Sequence, residues 1–235
     1  MYWEGRNYLS LTTDWNYSKE YVKISMPDYV RKFMDRLQHP KLKRLQYAPH
    51  RWSVPAYGKI LQMAPDPDKS GILDKNPTKR IQSILGTMLC YACSVGPTTL
   101  WAINKILRVK SRPTRDTEEK ASILQDCAAT YLNAIVCYKA SDMVLHVDSD
   151  TSHLTMPEAR SCYAGYFYLS DWHSPRPIKP NHERNGPIHM ECKTIRNLVS
   201  SASEALKYGT LNNRKKILTC NQNISYWNTS KQQHP

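Results

Sequence analysis

The chain has 235 residues, which is enough for one large domain or two small ones with a hydrophobic core. Lys and Arg outnumber Asp and Glu by 33 to 20, a net charge of +13 that favours a polyanion as partner. No run of 18 apolar residues and no apolar N-terminal stretch occurs, so the sequence predicts neither a membrane span nor a secretory signal. Its seven cysteines are odd in number and scattered along the chain, which is typical of reduced thiols, and we therefore expect an intracellular protein.

Residues 1–38 predict a β-hairpin followed by a helix. Alternating residues over 8–15 and 20–25 indicate two strands, and the polar "NYSK" between them favours a hairpin. Pro27 suits the first turn of the helix "PDYVRKFMDRL", whose apolar residues recur at a spacing of about 3.6.

A connection in two parts comes next. Residues 39–78 are rich in Pro and charge and show no sustained period, which predicts an irregular segment. The helical part, 79–132, contains predicted helices over 79–93, 97–110 and 114–131. The last of these carries its acidic residues early, as the helix dipole prefers.

Residues 133–210 return to strands, over 134–138, 143–148 and 161–169, before a predicted helix over 193–207. The chain as a whole is therefore predicted to be α+β, with a helical middle and a partial mixed sheet flanked by a helix.

Two further segments show no repeating pattern. Residues 174–187 are rich in proline and are predicted to form a loop. Residues 211–235 are polar and without any acid, and they are predicted to be a poorly ordered tail.

The stretch "MVLHVDSD" carries the clearest candidate for chemistry. It reads as a strand that ends in Asp148, with Asp150 two positions later. Carboxylates at a strand end can hold magnesium, although two-metal catalysis needs several of them facing one another. Asp and Ser also favour turns for their own local hydrogen bonds, so a simple polar turn remains an alternative. Cys90 and Cys93 lack the second ligand pair that zinc would require.

Basic residues of the first half are the candidate nucleic-acid contacts. We expect them to bind the phosphate backbone of duplex DNA or an RNA–DNA hybrid weakly and without reading its sequence. The candidates are Arg31, Lys32, Lys41, Lys43, Arg44 and Arg51.

Four stretches, in order, resemble the polyprotein of copia-type retrotransposons. They are "YLSLTTDWNY", "ISMPDYVRKFMDRL", "RIQSILGTMLCYACSVGPTTLWAINKILRVKSRPT" and "VLHVDSD…SCYAGYFYLSD…GPIHMECKTIRNLVSSASEA". The resemblance lies in their order and spacing over residues 6–210. It implies the end of a reverse transcriptase region, a connection and part of an RNase H domain.

The resemblance also implies a site. Asp148 with Asp150 matches the first RNase H carboxylate, and "SSASEALKYG" matches the run that leads into the second. Glu204 matches the first Glu of that run, whereas Leu206 occupies the position of the catalytic Glu. No acid follows Glu204, and the polymerase motif "YVDD" is absent from the chain. The resemblance therefore implies a degenerate, inactive fragment that retains non-specific nucleic-acid binding and needs no cofactor.

Two alternatives stay open. The chain could be an active magnesium-dependent nuclease with ligands Asp148, Asp150 and Glu204, and with Glu191 or Asp171 as further candidates. It could instead be a structural piece that needs the remainder of the Pol polyprotein as its partner.

Overall fold

The structure is a computed structural model that describes residues 7–8, 10–40, 42, 44–51, 68–156, 160–172 and 184–231. The chain divides into two compact units, Met1–Tyr138 and Lys139–Pro235. Helices and antiparallel strands occur in both, so the predicted α+β class is confirmed. No described helix is long and apolar enough to span a membrane.

The first unit contains a four-stranded sheet in the order β1-β2-β3-β4. Its strands are β1 (Asn7–Tyr8), β2 (Leu11–Asn16), β3 (Tyr21–Ser25) and β4 (Ile135–Lys139). The predicted hairpin is present, with Asn16 opposite Tyr21 at its end. The Asn16 side chain accepts hydrogen bonds from the Ser18 hydroxyl and the Lys19 amide, both at 2.9 Å, which explains why a polar "NYSK" turn forms here.

Strand β4 corrects the predicted domain boundary. The sequence placed residues 134–138 in the RNase H-like domain of 133–210, but β4 pairs with β3 in the first unit. A short strand reveals its two faces through alternation, whereas its pairing partner is not encoded in that pattern.

Four α-helices and one short 3-10 helix are described in the first unit. They are α1 (Tyr29–Arg36), α2 (Lys75–Ser94), the 3-10 helix Pro97–Thr99, α3 (Leu100–Leu107) and α4 (Arg115–Thr130). Helix α2 begins before the predicted residue 79, since Pro77 lies in its first turn, where a missing N–H does no harm. Thr114 caps α4 through a reciprocal capping box with Thr117.

An aliphatic core joins these helices to the sheet. Its most deeply buried side chains include Val30 of α1, Ile81 and Leu85 of α2, Ile103 of α3 and Leu124 of α4. Val30 lies on the apolar face that the sequence predicted for α1.

The second unit holds a three-stranded antiparallel sheet in the order β5-β6-β7. Its strands are β5 (Val144–Met156), β6 (Arg160–Ser170) and β7 (Pro187–Thr194), and helix α5 (Ala202–Lys231) follows. The sequence missed β7, and it started the helix at residue 193, although Lys193 and Thr194 still belong to the strand. The sequence also predicted a mixed sheet, whereas the described strands of this sheet all pair antiparallel. A parallel strand would need a crossover connection, and no described strand follows α5.

Helix α5 corrects the predicted tail as well, because its backbone continues as helix to Lys231. The sequence predicted that the helix ends at residue 207, just before Gly209. Instead Gly209 lies inside α5, where a β-carbon would come within 2.4 Å of Thr151 Cγ2 on β5. The missing side chain allows the helix to approach the sheet closely.

Candidate functional site

The two faces of the second sheet separate the candidate carboxylates. Along β5, Ser149 lies opposite Gly165 and Asp148 opposite Tyr166. Asn213 of α5 donates a 2.6 Å hydrogen bond to Ser149 Oγ, so odd-numbered residues of β5 face the helix. Successive side chains alternate across a strand. Asp148 therefore points to the face that α5 does not cover.

Asp148 is held there by a cation. Its Oδ2 lies 2.7 Å from Arg184 Nε, in an ion pair rather than an aligned hydrogen bond. The ring of Tyr168 is nearby, and burial followed by the Asp148 charge raises the pKa of its phenol. A metal ion at Asp148 would have to compete with the guanidinium for the same oxygen.

Asp150 lies at the outer edge of β5. Its Oδ1 accepts a 2.8 Å hydrogen bond from the backbone N–H of Thr151. The residue also lines an open cleft of about 320 Å³ together with His153 and, from α5, Leu206. Leu206 is 51% exposed, so it forms part of the wall of this cleft rather than of the core. Residue Asp150 of the strand and residue Leu206 of the helix thus line one cleft, and the helix residue is apolar.

Glu204 has a local role. Its Oε2 accepts hydrogen bonds from the Ser200 amide at 2.7 Å and the Ser200 hydroxyl at 2.8 Å, and its own amide bonds Ser201 Oγ at 3.1 Å. The two bonds from Ser200, that of its backbone amide first, lower the pKa of Glu204. The run "SSASE" is therefore a helix-capping sequence, and the assignment of Glu204 as a catalytic carboxylate is not supported by its position.

The two further candidate ligands lie elsewhere. Asp171 accepts a 3.0 Å hydrogen bond from the Asp142 amide beyond the end of β6. Glu191 lies opposite Gly165 on the face covered by α5, and its side chain is 3% exposed. Among the described residues there is no group of three or more His, Cys, Asp or Glu that could hold a metal ion. The five predicted carboxylates are thus not gathered in one place: Asp148 and Asp150 lie on the face of β5 away from α5, Glu191 on the covered face, Asp171 beyond β6 and Glu204 at the start of α5.

Glu191 belongs instead to a polar cluster under α5. Its Oε2 lies 2.5 Å from Lys193 Nζ and 3.9 Å from His189 Nε2. Burial, and then the Glu191 charge, raise the pKa of Tyr163 to about 12. Burial also lowers the pKa of His189, against the attraction of Glu191. Asn213 completes this face by donating to the Ala164 carbonyl at 3.1 Å.

The six candidate nucleic-acid contacts differ in their surroundings. Arg31 pairs with Asp28 at 3.1 Å within one helical turn, and Arg51 pairs with Glu119 of α4. Lys32 and Arg44 are exposed. The other two, Lys41 and Lys43, lie outside the described residues. The partners Asp28 and Glu119 reduce the local positive charge, which a count of Lys and Arg alone did not show.

The sequence analysis missed two functional neighbours in the second unit. Arg184 follows a proline-rich segment that gave no reason to pair it with Asp148, whereas Asn213 could have been found from its spacing of one helical turn after Gly209. Comparison of the chain with models of protein families, with curated proteins and with solved structures finds no match.

Proposed function

We propose that the chain is a catalytically inactive remnant of a copia-type retrotransposon reverse transcriptase/RNase H polyprotein that retains non-specific nucleic-acid binding. The ordered resemblance over residues 6–210 supports the ancestry. The succession of a carboxylate-bearing strand and a helix, β5 and α5, is in keeping with the order of site elements that the resemblance implies.

The observation that carries the proposal is the cleft between Asp150 and Leu206. The resemblance assigns a catalytic Glu to the helix side of the site, and a leucine side chain offers no lone pair to a metal ion. Two-ion hydrolysis of a phosphodiester needs several carboxylates around ions about 4 Å apart. Here Asp150 accepts a hydrogen bond from the Thr151 amide, and Asp148, on the same face of β5 by alternation, pairs with Arg184. This geometry supports an inactive site.

Charge supports the binding part of the proposal. Beyond Glu204 the chain contains no acid, and Lys207, Arg214 and Lys215 of α5 are exposed. Together with Lys32 and Arg44 of the first unit they provide cations for phosphate contacts. Such contacts release counterions, so affinity should fall steeply as salt concentration rises.

A cleavage assay tests the proposed inactivity. Wild type, Asp148→Asn, Asp150→Asn and Leu206→Glu are incubated with an RNA–DNA hybrid in magnesium or manganese, with an active RNase H as positive control. We expect no cleavage by any of the four, since Leu206→Glu restores one ligand and leaves the downstream carboxylates missing. Cleavage by the wild type that disappears in Asp150→Asn or Asp148→Asn would show an active nuclease and overturn the proposal.

A binding titration tests the other half. The binding of a labelled hybrid or duplex is measured by anisotropy between 50 and 200 mM salt. The affinity should fall by orders of magnitude as salt rises, and the slope of log affinity against log salt should be roughly proportional to the number of phosphates contacted. Binding that does not depend on salt, or no binding at the lowest salt, would contradict a backbone-directed interaction.

A further inference from the structure

A small cavity in the first unit combines an aromatic wall with three cations. Its volume is about 140 Å³. Trp101, Ala102 and Ile106 of α3 and Pro49 form its apolar wall, and the cations are Arg51, Lys105 and Lys120. No carboxylate is among the described residues that line it. An apolar interior ringed by positive charge suits a flat ring that carries an anionic group.

Helix geometry places the side chains of Trp101 and Lys105 next to each other. Trp101 and Lys105 are four residues apart on α3, one turn of the helix, and Lys105 Nζ lies 4.9 Å from the Trp101 ring centre. His50 meets the other side of the cavity, with its ring in edge contact with Trp101 at 4.8 Å between centres. The indole is thus fixed in place before any ligand arrives, which lowers the entropy lost on binding.

The segment that closes the cavity is anchored at both ends to α4. The Gln46 amide donates to Thr130 Oγ1 at 3.0 Å, and Arg51 pairs with Glu119. The two anchors on α4 are eleven residues apart, about 16 Å along a helix, and five extended residues span about the same length. Residues 46–51 therefore lie along α4, with bends at residues 48–50, and hold His50 and Arg51 at the cavity.

Lys105 and Lys120 repel each other at this cavity, and Asp116 offsets the repulsion in part. Lys120 pairs with Asp116 and Arg51 with Glu119, but Lys105 has the positive charge of Lys120 beside it. Burial, and then that neighbouring charge, lower the pKa of Lys105. An anionic group between these side chains would relieve the repulsion and favour the charged form of Lys105.

Size restricts the ring that fits. A cavity of about 150 Å³ in another protein is known to hold benzene, so about 140 Å³ matches one six-membered ring better than a fused double ring. We propose that this cavity receives one pyrimidine nucleotide of a single-stranded nucleic acid, with the base against Trp101 and its phosphate between Arg51 and Lys120. The inference rests on the proposed function and names the part of the nucleic acid that the first unit holds.

A neighbouring cavity supports a single strand over a duplex. It measures about 730 Å³, shares Pro49 with the first, and is lined by Tyr47 and Tyr131. These tyrosines are 67% and 50% exposed, and their rings are 6.4 Å apart. Exposed aromatic rings are the surfaces on which unpaired bases stack, whereas bases in a duplex are already stacked on one another.

Oligonucleotides with a single base in an otherwise abasic strand test the proposal. Fluorescence anisotropy at low salt compares strands that carry one thymine, one adenine or no base. We expect the thymine strand to bind about fivefold or more tightly than the abasic strand, and the adenine strand to gain no comparable advantage, since stacking of one base contributes about 1–3 kcal/mol. Trp101→Leu should abolish the thymine advantage, and Trp101→Phe, which keeps a ring, should retain part of it.

Control variants separate the cavity from general charge. Lys105→Gln should weaken the thymine strand and reduce its advantage, whereas Lys32→Gln, on a different helix, should weaken all three strands equally. Thermal unfolding verifies that Trp101→Leu is folded, and the lysine variants decide the matter if it is not. Equal binding of all three strands, unchanged in Trp101→Leu and Lys105→Gln, would overturn the inference while leaving the proposed nucleic-acid binding intact.

Failure of all strands to bind would contradict the proposed function. The cavity is then tested directly with thymidine monophosphate, by following the indole N–H resonance of Trp101, identified from the Trp101→Phe spectrum. A saturable shift of that resonance, absent with inorganic phosphate, supports the nucleotide site. An unchanged resonance overturns it.

Discussion

Each of the two units of the chain is stabilised by a different kind of internal contact. The first packs aliphatic side chains of α1, α2, α3 and α4 into one large core. The second has a small cluster of Tyr163, Ile195, Val199 and Ala205, and beside it α5 meets the sheet through polar or missing side chains. A large close-packed core loses much stability when one of its buried side chains is shortened, whereas a helix seated on glycine and asparagine depends on a few specific contacts. Mutations should therefore act differently in the two units.

The largest effect is expected from Leu124→Ala in α4, whose side chain is completely buried. Removal of three carbon atoms leaves a cavity in the aliphatic core and should lower the free energy of unfolding by about 2–5 kcal/mol. Urea denaturation measures the change. Leu89→Ala on the exposed side of α2 is the matched control, and it should alter stability by no more than about 0.5 kcal/mol. Equal losses for both would show that the first unit has no dominant core.

Two glycine substitutions should change the free energy of unfolding in opposite directions. Gly209→Ala places a β-carbon 2.4 Å from Thr151 Cγ2 and should destabilise the second unit by about 1–3 kcal/mol. Gly86→Ala in α2 meets nothing within 4 Å and should stabilise the first unit by up to about 1 kcal/mol, since alanine favours the helix. Thermal unfolding of both variants gives the comparison. A neutral or stabilising Gly209→Ala would mean that α5 does not lie against β5 as described.

Asn213→Ala should cost about 1–2 kcal/mol. It removes the hydrogen bonds to Ser149 Oγ and to the Ala164 carbonyl that join α5 to β5 and β6. The neighbouring Asn212 bonds only the Tyr208 carbonyl of its own helix in the described structure, so Asn212→Ala serves as the control and should change little. If the two variants had the same urea midpoint, this would argue against a polar contact between α5 and the sheet.

The smallest expected effect depends on pH. Burial lowers the pKa of His189 in the folded state below its usual 6.5, so the unfolded chain binds the proton more readily. The folded state should therefore lose stability as pH falls through about 6.5. His189→Gln should remove the part of this loss that comes from protonation of His189. The ring is 37% exposed, so solvent screening keeps the difference below about 0.5 kcal/mol. Urea midpoints of the two proteins at pH 7.5 and 5.5 measure it. A wild type that loses no more stability than the variant would show that the ring is not desolvated.

The helices of the first unit were predictable because their contacts are apolar. The repeats in α2, α3 and α4 follow the helical period, and Thr114 with its early acids indicated where α4 begins. The hairpin was also predictable from its polar turn. What the sequence did not reveal was the partner of β4, since pairing depends on chain paths far apart in sequence.

The second unit was harder to predict because its helix contacts are polar or absent. The residues after 207 are polar and show no repeating pattern, so the helix was predicted to end just before Gly209 and Asn213, where α5 packs most closely on the sheet. Strand β7 was missed because it starts at Pro187 and follows a proline-rich segment. For the site, the sequence supplied the candidate carboxylates but not the face on which each lies, which follows from the register between β5 and β6.

Asp150 has one more consequence, for association between copies of the chain. Strand β5 is at the edge of its sheet among the described strands, and a strand of 13 residues presents a long template for another chain to pair with. The Asp150 carboxylate occupies the Thr151 amide on that strand, and the register breaks between Ser152 and Met156. Charge, an occupied amide and a bulge each discourage edge-to-edge growth of the sheet. The acidic pair in "DSD" should therefore help to keep this sheet from aggregating.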